Sequence, residues 1–155
     1  IQMANMTAII ANRGFYYTPH IIKEISGQEN IDTNFTKKKY CTIEAKYFEP
    51  IIDGMLKVTT GEDGTAQNSQ IANLDICGKT GTAQNPHGED HSIFIAFAPK
   101  DNPKIAIAVY VENGGFGSTW AAPIASLMID KYINKNISNS YQEKFILDGN
   151  LIAED

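Results

Sequence analysis

Three consecutive segments, Leu74 to Ala83, His91 to Ala98 and Lys104 to Glu112, are rich in β-branched and aromatic residues and are separated by short polar stretches. The second and third are joined by Pro99-Lys100-Asp101-Asn102-Pro103, a turn by composition, so the three together predict an antiparallel meander. In the third, Ala106 and Ala108 fall on one face by the two-residue period of a strand, and so small a face lets a helix approach closely. The helix expected to do so comes next. After the glycine-rich stretch Asn113 to Gly117, Ser118 or Thr119 caps a helix through about Asn134, with Pro123 in its first turn and Ile124, Leu127, Met128 and Tyr132 on one side.

Upstream, residues 1 to 13 read as a helix that groups Ile1, Met3, Met6, Ile9 and Ile10, with Gly14 as a left-handed stop. No capping residue precedes Ile1, which leads to the expectation that the chain begins inside an element of a longer protein. Tyr16 to Ile25 and Tyr40 to Ala45 predict a peripheral hairpin around the polar stretch holding Gly27, Asn30, Asp32 and Asn34. A second helix opens near Glu49-Pro50, buries Ile51, Ile52, Met55, Leu56 and Val58, and closes at Gly61. Residues 136 to 155 form a polar tail, expected to be partly disordered, after a folded unit of residues 1 to 135. The expected class is α+β, a short antiparallel sheet with helices packed on it.

Size and composition, 155 residues of which 43% are hydrophobic and 20% charged, suffice for a core without a stabilising metal or cofactor, and none is assigned. A net charge of -5, with Lys37-Lys38-Lys39 the one basic run and a solvated loop by context, speaks against a nucleic-acid partner. The longest apolar runs, Ile93 to Ala98 and Ile105 to Val111, are far shorter than the ~20 residues that cross a bilayer. Cys41 and Cys77 lack the paired spacing of a metal site and are expected to be free and buried.

The segment Gly78-Lys79-Thr80-Gly81-Thr82 carries chemistry. A cation, two hydroxyls and glycines that leave a strand bare suit an extended peptide that ends in a carboxylate and lies along a sheet edge. Thr80 and Thr82 share a side by period two, so their hydroxyls can bind one carboxylate, and the Thr82 N–H can face a carbonyl oxygen. A phosphate loop is excluded, because its earlier glycine would fall at Asn73 and its lysine should open a helix, which Gly81, Pro86 and Gly88 oppose. A plain surface lysine guarding an edge strand is the remaining rival for Lys79.

His87, Asp90 and His91, with Glu89 among them, have the chemistry of metal ligands, but Pro86 and Gly88 make a turn the better reading, and no metal site is assigned. In that turn Asp90 bonds nearby backbone and His91 leads into the next strand. Placed directly after Gln84, the loop is a candidate wall of a substrate groove. Asn113 to Gly117 reads as a strand-to-helix turn, with Phe116 and Trp120 expected to pack on the sheet. The pentapeptide Gly-Thr-Ala-Gln-Asn, present at 64 to 68 and again at 81 to 85, is read as coincidence.

Beyond that strand, Gln2-Met3-Ala4-Asn5 with Ala11-Asn12-Arg13-Gly14, Tyr17-Thr18-Pro19-His20, Asp53-Gly54-Met55, Gly64-Thr65-Ala66, Phe97-Ala98-Pro99 and Ala121-Ala122-Pro123-Ile124-Ala125 resemble, in order and spacing, the final third of class B penicillin-binding proteins. The likeness runs to about residue 133, and the Asp90-His91 pair is similar to that of the elongation-type branch. The resemblance implies the penicillin-binding protein and serine β-lactamase-like fold, and acyl transfer on peptidoglycan. A serine attacks the penultimate D-Ala carbonyl of a stem peptide, D-Ala leaves, and an amine of a neighbouring stem resolves the acyl-enzyme; β-lactams mimic D-Ala-D-Ala and trap the serine. By position, Lys79 belongs to the network around the catalytic serines, Thr80 and Thr82 bind the carboxylate, the Thr82 N–H is half of the oxyanion hole, and Gly81 keeps the strand edge open.

The departure from that pattern is large. None of the serines at 26, 69, 92, 118, 126, 138 and 140 is followed three places later by lysine, and none begins Ser-x-Asn. In the family both motifs lie before the position of Ile1, so truncation is the expectation, with an inactive isolated chain that self-associates through uncovered apolar faces. The resemblance also implies a membrane anchor upstream of Ile1, the periplasmic face of a bacterial inner membrane, and the cell-wall elongation machinery with a glycosyltransferase as partner. Two rivals stand beside this reading, a non-catalytic peptidoglycan-binding or scaffold module and a serine β-lactamase-like hydrolase.

Overall fold

The computed structural model describes residues 1–22, 24, 26 and 32–151. Its centre is a three-stranded antiparallel sheet in the order β3-β4-β5, formed by Cys77–Ala83, His91–Ala98 and Ile105–Val111. This is the meander expected from the sequence; the first strand starts three residues later than predicted, after a bridge between Ile71 and Leu74. The register sets Lys79 opposite Ile95, Thr80 opposite Phe94, Gly81 opposite Ile93 and Thr82 opposite Ser92. Because among the described residues β3 pairs only with β4, the Lys-Thr-Gly segment lies on a sheet edge.

Both faces of the sheet are covered. On one side lie α1 (Gln2–Ala11) and α3 (Glu49–Thr60), which bury Ala11, Ile52 and Met55 with Cys77 and Phe97. On the other lies α4 (Ala121–Asn134), whose Ala121, Ala122, Ala125 and Ile129 pack with Phe94, Ala96 and Ile107. Alternate residues of β4 thus serve opposite cores, as the pleat requires.

The small-residue face of β5 is covered by a different helix from the one expected. Ala106 packs into the core built by α1 and α3, whereas α4 meets Ile105, Ile107, Val109 and Val111. The close approach is achieved on that second side by alanines of α4 itself, so the small residues sit on the helix. Helix rotations differ from prediction accordingly. Ile52, Met55 and Leu127 are buried as expected, but Met3, Met6, Ile51, Met128 and Tyr132 are exposed, and Thr7, Thr59, Ser126 and several alanines, which a hydrophobicity pattern undercounts, take buried places. Each buried hydroxyl is satisfied: Thr7 donates to the Met3 carbonyl at 2.8 Å and Thr59 to the Ile76 carbonyl at 2.7 Å.

The predicted stop after α1 uses two residues, Arg13 with φ 55° and Gly14 with φ 109°, and the Gly14 N–H returns to the Ile9 carbonyl at 2.8 Å. The hairpin is much shorter than predicted: β1 is Phe15–Tyr16, β2 is Lys39–Tyr40, and a four-residue helix α2 (Thr33–Thr36) precedes β2. Lys23, Ile25, Gly27 and Asn30 of that predicted hairpin lie outside the described residues. Cys41 and Cys77 are free; Cys77 is buried, which pushes its thiol up to about 12, and Cys41 is only half-buried.

The polar tail contains an ordered helix, α5 (Ser140–Leu147), where disorder was expected. Asn139 caps it by accepting from the Gln142 N–H, and Phe145 stacks on Trp120 with ring centroids 5.1 Å apart. Trp120 thus packs on α5, and Phe116 is 72% exposed, against expectation. Among the described residues no helix is long and apolar enough to cross a membrane.

Candidate functional site

The exposed edge strand β3 presents Lys79 and Thr82 to solvent and holds Thr80 and Gly81 half-buried. Thr80 and Thr82 stand opposite Phe94 and Ser92, so both point to the side of the sheet that α4 covers, while Lys79 lies on the α3 side. Lys79 reaches a depression bordered by Gly54, Lys57, Glu62 and Asp63, and its ammonium donates to the Thr80 carbonyl at 2.7 Å. Gly78 has a steric reason to be glycine, because a Cβ there would collide with the Phe94 ring.

Sequence reasoning missed the neighbour that completes this strand. Thr65 Oγ1 lies 2.9 Å from Thr80 Oγ1, so two hydroxyls meet on the exposed side of the strand. The signal was present in the repeated pentapeptide, whose first copy supplies Thr65 next to the strand holding the second. The loop between β5 and α4 is also closer than expected. Gly117 lies over Gly81 and Ile93, Ser92 Oγ donates to the Phe116 carbonyl at 2.8 Å, and Asn68 Nδ2 donates to the Ser118 carbonyl at 2.9 Å.

Asp90 and His91 form a clasp between two turns, whereas His87 contributes only its backbone N–H, donated to Asn85 Oδ1 at 3.0 Å. Asp90 Oδ1 accepts from the Asn85 N–H at 3.1 Å and the Asp90 carbonyl accepts from the Gly115 N–H at 2.6 Å. His91 Nδ1 accepts from the Asn113 N–H at 3.1 Å, its ring lies against Tyr110, and His87 is exposed beyond them. His91 opposes Ala83, so the clasp borders the far end of the Lys-Thr-Gly strand. Among the described residues no group of three or more His, Cys, Asp or Glu is placed to hold a metal ion.

Two ion pairs brace the α3 layer away from this strand: Arg13 with Glu49 and Lys100 with Asp53, each at 2.8 Å. The hydrogen bond and charge of Lys100 hold the Asp53 carboxyl below its ordinary value, and Asp53 in turn raises Lys100. Both pairs are exposed enough for solvent to weaken them.

Comparison with known proteins agrees with this architecture. The sequence of the penicillin binding protein transpeptidase domain matches residues 1–130. The peptidoglycan D,D-transpeptidase MrdA of Haemophilus influenzae is 34% identical over 155 residues, covering 88% of this chain and 24% of that protein. Among solved structures, Pseudomonas aeruginosa PBP2 in complex with WCK 5153 superposes with a TM-score of 0.73 at 38% identity, covering 86% of this chain and 29% of that one. Penicillin-binding protein A from M. tuberculosis, solved as a ceftriaxone acyl-enzyme complex, gives a TM-score of 0.69 at 30% identity, covering 84% of this chain and 31% of that one. The chain thus spans about a quarter of the length of its curated relative. With residues 1–130 matched and the α+β fold shared, the chain belongs to the penicillin-binding protein transpeptidase domain family.

Proposed function

We propose that this chain carries the carboxylate-binding strand of a peptidoglycan D,D-transpeptidase of the elongation type. The observation that carries the reading is the Lys79-Thr80-Gly81-Thr82 strand on an open sheet edge, with the Thr65 hydroxyl 2.9 Å from that of Thr80. A stem peptide ending in D-Ala-D-Ala adds to this edge by backbone pairing, and its terminal carboxylate takes hydrogen bonds from Thr80 and Thr82 in the field of Lys79.

The acyl-transfer step is completed by groups outside these residues. A serine Oγ, relieved of its proton by a lysine, bonds to the penultimate D-Ala carbonyl carbon. The Thr82 N–H and the N–H of that serine stabilise the oxyanion, and the C–N bond breaks as the departing D-Ala amine takes a proton. A stem-peptide amine then displaces the serine. Lys79 joins the hydrogen-bond network that moves the proton, Gly81 keeps the edge free of side-chain bulk, and the loop of His87, Asp90 and His91 walls one end of the groove. Residues 1 to 135 form the share of the catalytic domain held here, with 136 to 155 as an appended tail. β-Lactams are the corresponding inhibitors, the periplasmic face of the inner membrane is the location, and the elongation machinery with its glycosyltransferase is the partner.

The test is acylation of the full-length protein by a fluorescent penicillin, with competition by unlabelled β-lactam. A saturable serine adduct supports the reading, and its absence would favour a non-catalytic module. Rapid hydrolysis of that adduct would point to a β-lactamase-like hydrolase.

A further inference from the structure

The helix α5 lies beyond residues 1–130, which match the family, yet it is bonded to the segment that serves β3. Gln142 of α5 is 8% exposed and its Nε2 donates to the Asn68 carbonyl at 2.6 Å. Asn68 Nδ2 in turn holds the Ser118 carbonyl, and Ser126 Oγ holds the Ser69 carbonyl at 3.0 Å. The segment fixed at 68 and 69 begins at Thr65, whose hydroxyl meets Thr80. Phe145 of α5 stacks on Trp120, and the segment leading into α5 is held by Asp130, which accepts from the Ser138 N–H and hydroxyl at 2.7 Å each.

For packing alone an apolar side chain at 142 would serve, and a buried amide is costly unless it is hydrogen-bonded, so Gln142 ties α5 to the Asn68 carbonyl in particular. We propose that α5 is a positioning element for the carboxylate-binding strand, with Gln142 as the positioning residue that fixes Asn68 and through it the Thr65 hydroxyl beside Thr80. This rests on the transpeptidase reading for its consequence in catalysis, but the coupling between α5 and the loop does not.

The experiment compares full-length wild type with Gln142→Met, which keeps volume and removes the donor. Two readouts are taken: amide exchange across residues 65–69 and 79–82, and acylation by benzylpenicillin and by its methyl ester, which lacks the carboxylate charge. The expected result is faster exchange in both segments and a roughly tenfold slower acylation by benzylpenicillin, the scale of a small misplacement of binding groups, with the ester rate little changed. Equal loss for acid and ester would mean general loosening and would overturn the proposal, as would wild-type exchange at 65–69. If wild type forms no adduct with either compound, the transpeptidase reading fails. The exchange data then decide the coupling alone, faster exchange sustaining it and unchanged exchange refuting it.

Discussion

Gly117 rests directly on the backbone of Gly81: a Cβ built on Gly117 would stand 2.6 Å from the Gly81 carbonyl oxygen and would also meet the Ile93 carbonyl. Neither neighbour is a flexible side chain, so a methyl group here must lift the turn off the strand. Gly117→Ala is expected to destabilise the fold by about 1–3 kcal/mol, the usual cost of overpacking, seen as a lower urea midpoint. An unchanged midpoint would show that the turn leaves the strand freely.

Lys79 is exposed and its replacement removes no core contact, so Lys79→Ala should leave the urea midpoint within about 0.5 kcal/mol of wild type. In the full-length protein the same change should slow penicillin acylation by a factor of hundreds, roughly 3 kcal/mol or more, as when a preorganised electrostatic contact is lost. Near-wild-type acylation would reduce Lys79 to an edge-protecting surface residue.

The 155-residue chain by itself should form no covalent adduct with labelled penicillin. None of its serines has a lysine one helical turn ahead to take the proton, and an unactivated hydroxyl is a weak nucleophile at neutral pH. Intact-mass measurement after prolonged incubation reads this directly, and a stoichiometric mass increase would refute it.

What the sequence made legible follows from which signals are local. The strands at 77–83, 91–98 and 105–111 were readable because β-branched residues and Pro-rich turns act over a few residues. The side of the sheet to which each helix packs was not, since Ala106 serves α1 and α3 through contacts far apart in sequence. Helix rotations failed where Thr7, Thr59 and Ser126 are buried with their hydroxyls bonded to carbonyls, which no polarity pattern anticipates. α5 was hidden for a related reason: its buried contact is an amide, Gln142, in a stretch polar by composition. At the site, Lys79, Thr80 and Thr82 were found because they are contiguous, whereas Thr65 reaches Thr80 only through the fold.

Acid should loosen the connection from α4 into α5. Burial pushes Asp130 upward, but the Ser138 N–H, the Asn134 amide and the Ser138 hydroxyl outweigh it and hold the carboxyl below its ordinary value. A folded-state pKa below the unfolded one stabilises fully above the ordinary carboxylate range, and that stability is lost as pH falls through the range to the lower folded value. The stability difference between wild type and Asp130→Asn should therefore shrink over that window. The single Trp120, stacked on Phe145, reports the change by fluorescence during urea unfolding at each pH. A difference that stays constant with pH would show that the Asp130 charge does not hold Ser138.

Association is expected at the outer side of α1. Met3 and Met6 are three residues apart on one side of the helix and 37% and 46% exposed, next to Ile1 at 77%. Ile51 and Tyr47, in and just before the other helix of the same layer, are 49% and 55% exposed. Apolar groups gathered on one layer favour a partner, and for the purified chain the available partner is a second copy. Sedimentation velocity over a range of concentrations should show a rising weight-average coefficient. Met6→Lys should return the chain to monomer, because pairing two copies would then bury an ammonium without a counter-charge. A strict monomer at all concentrations, with no binding of a hydrophobic dye, would mean that these side chains are too dispersed to act as a patch.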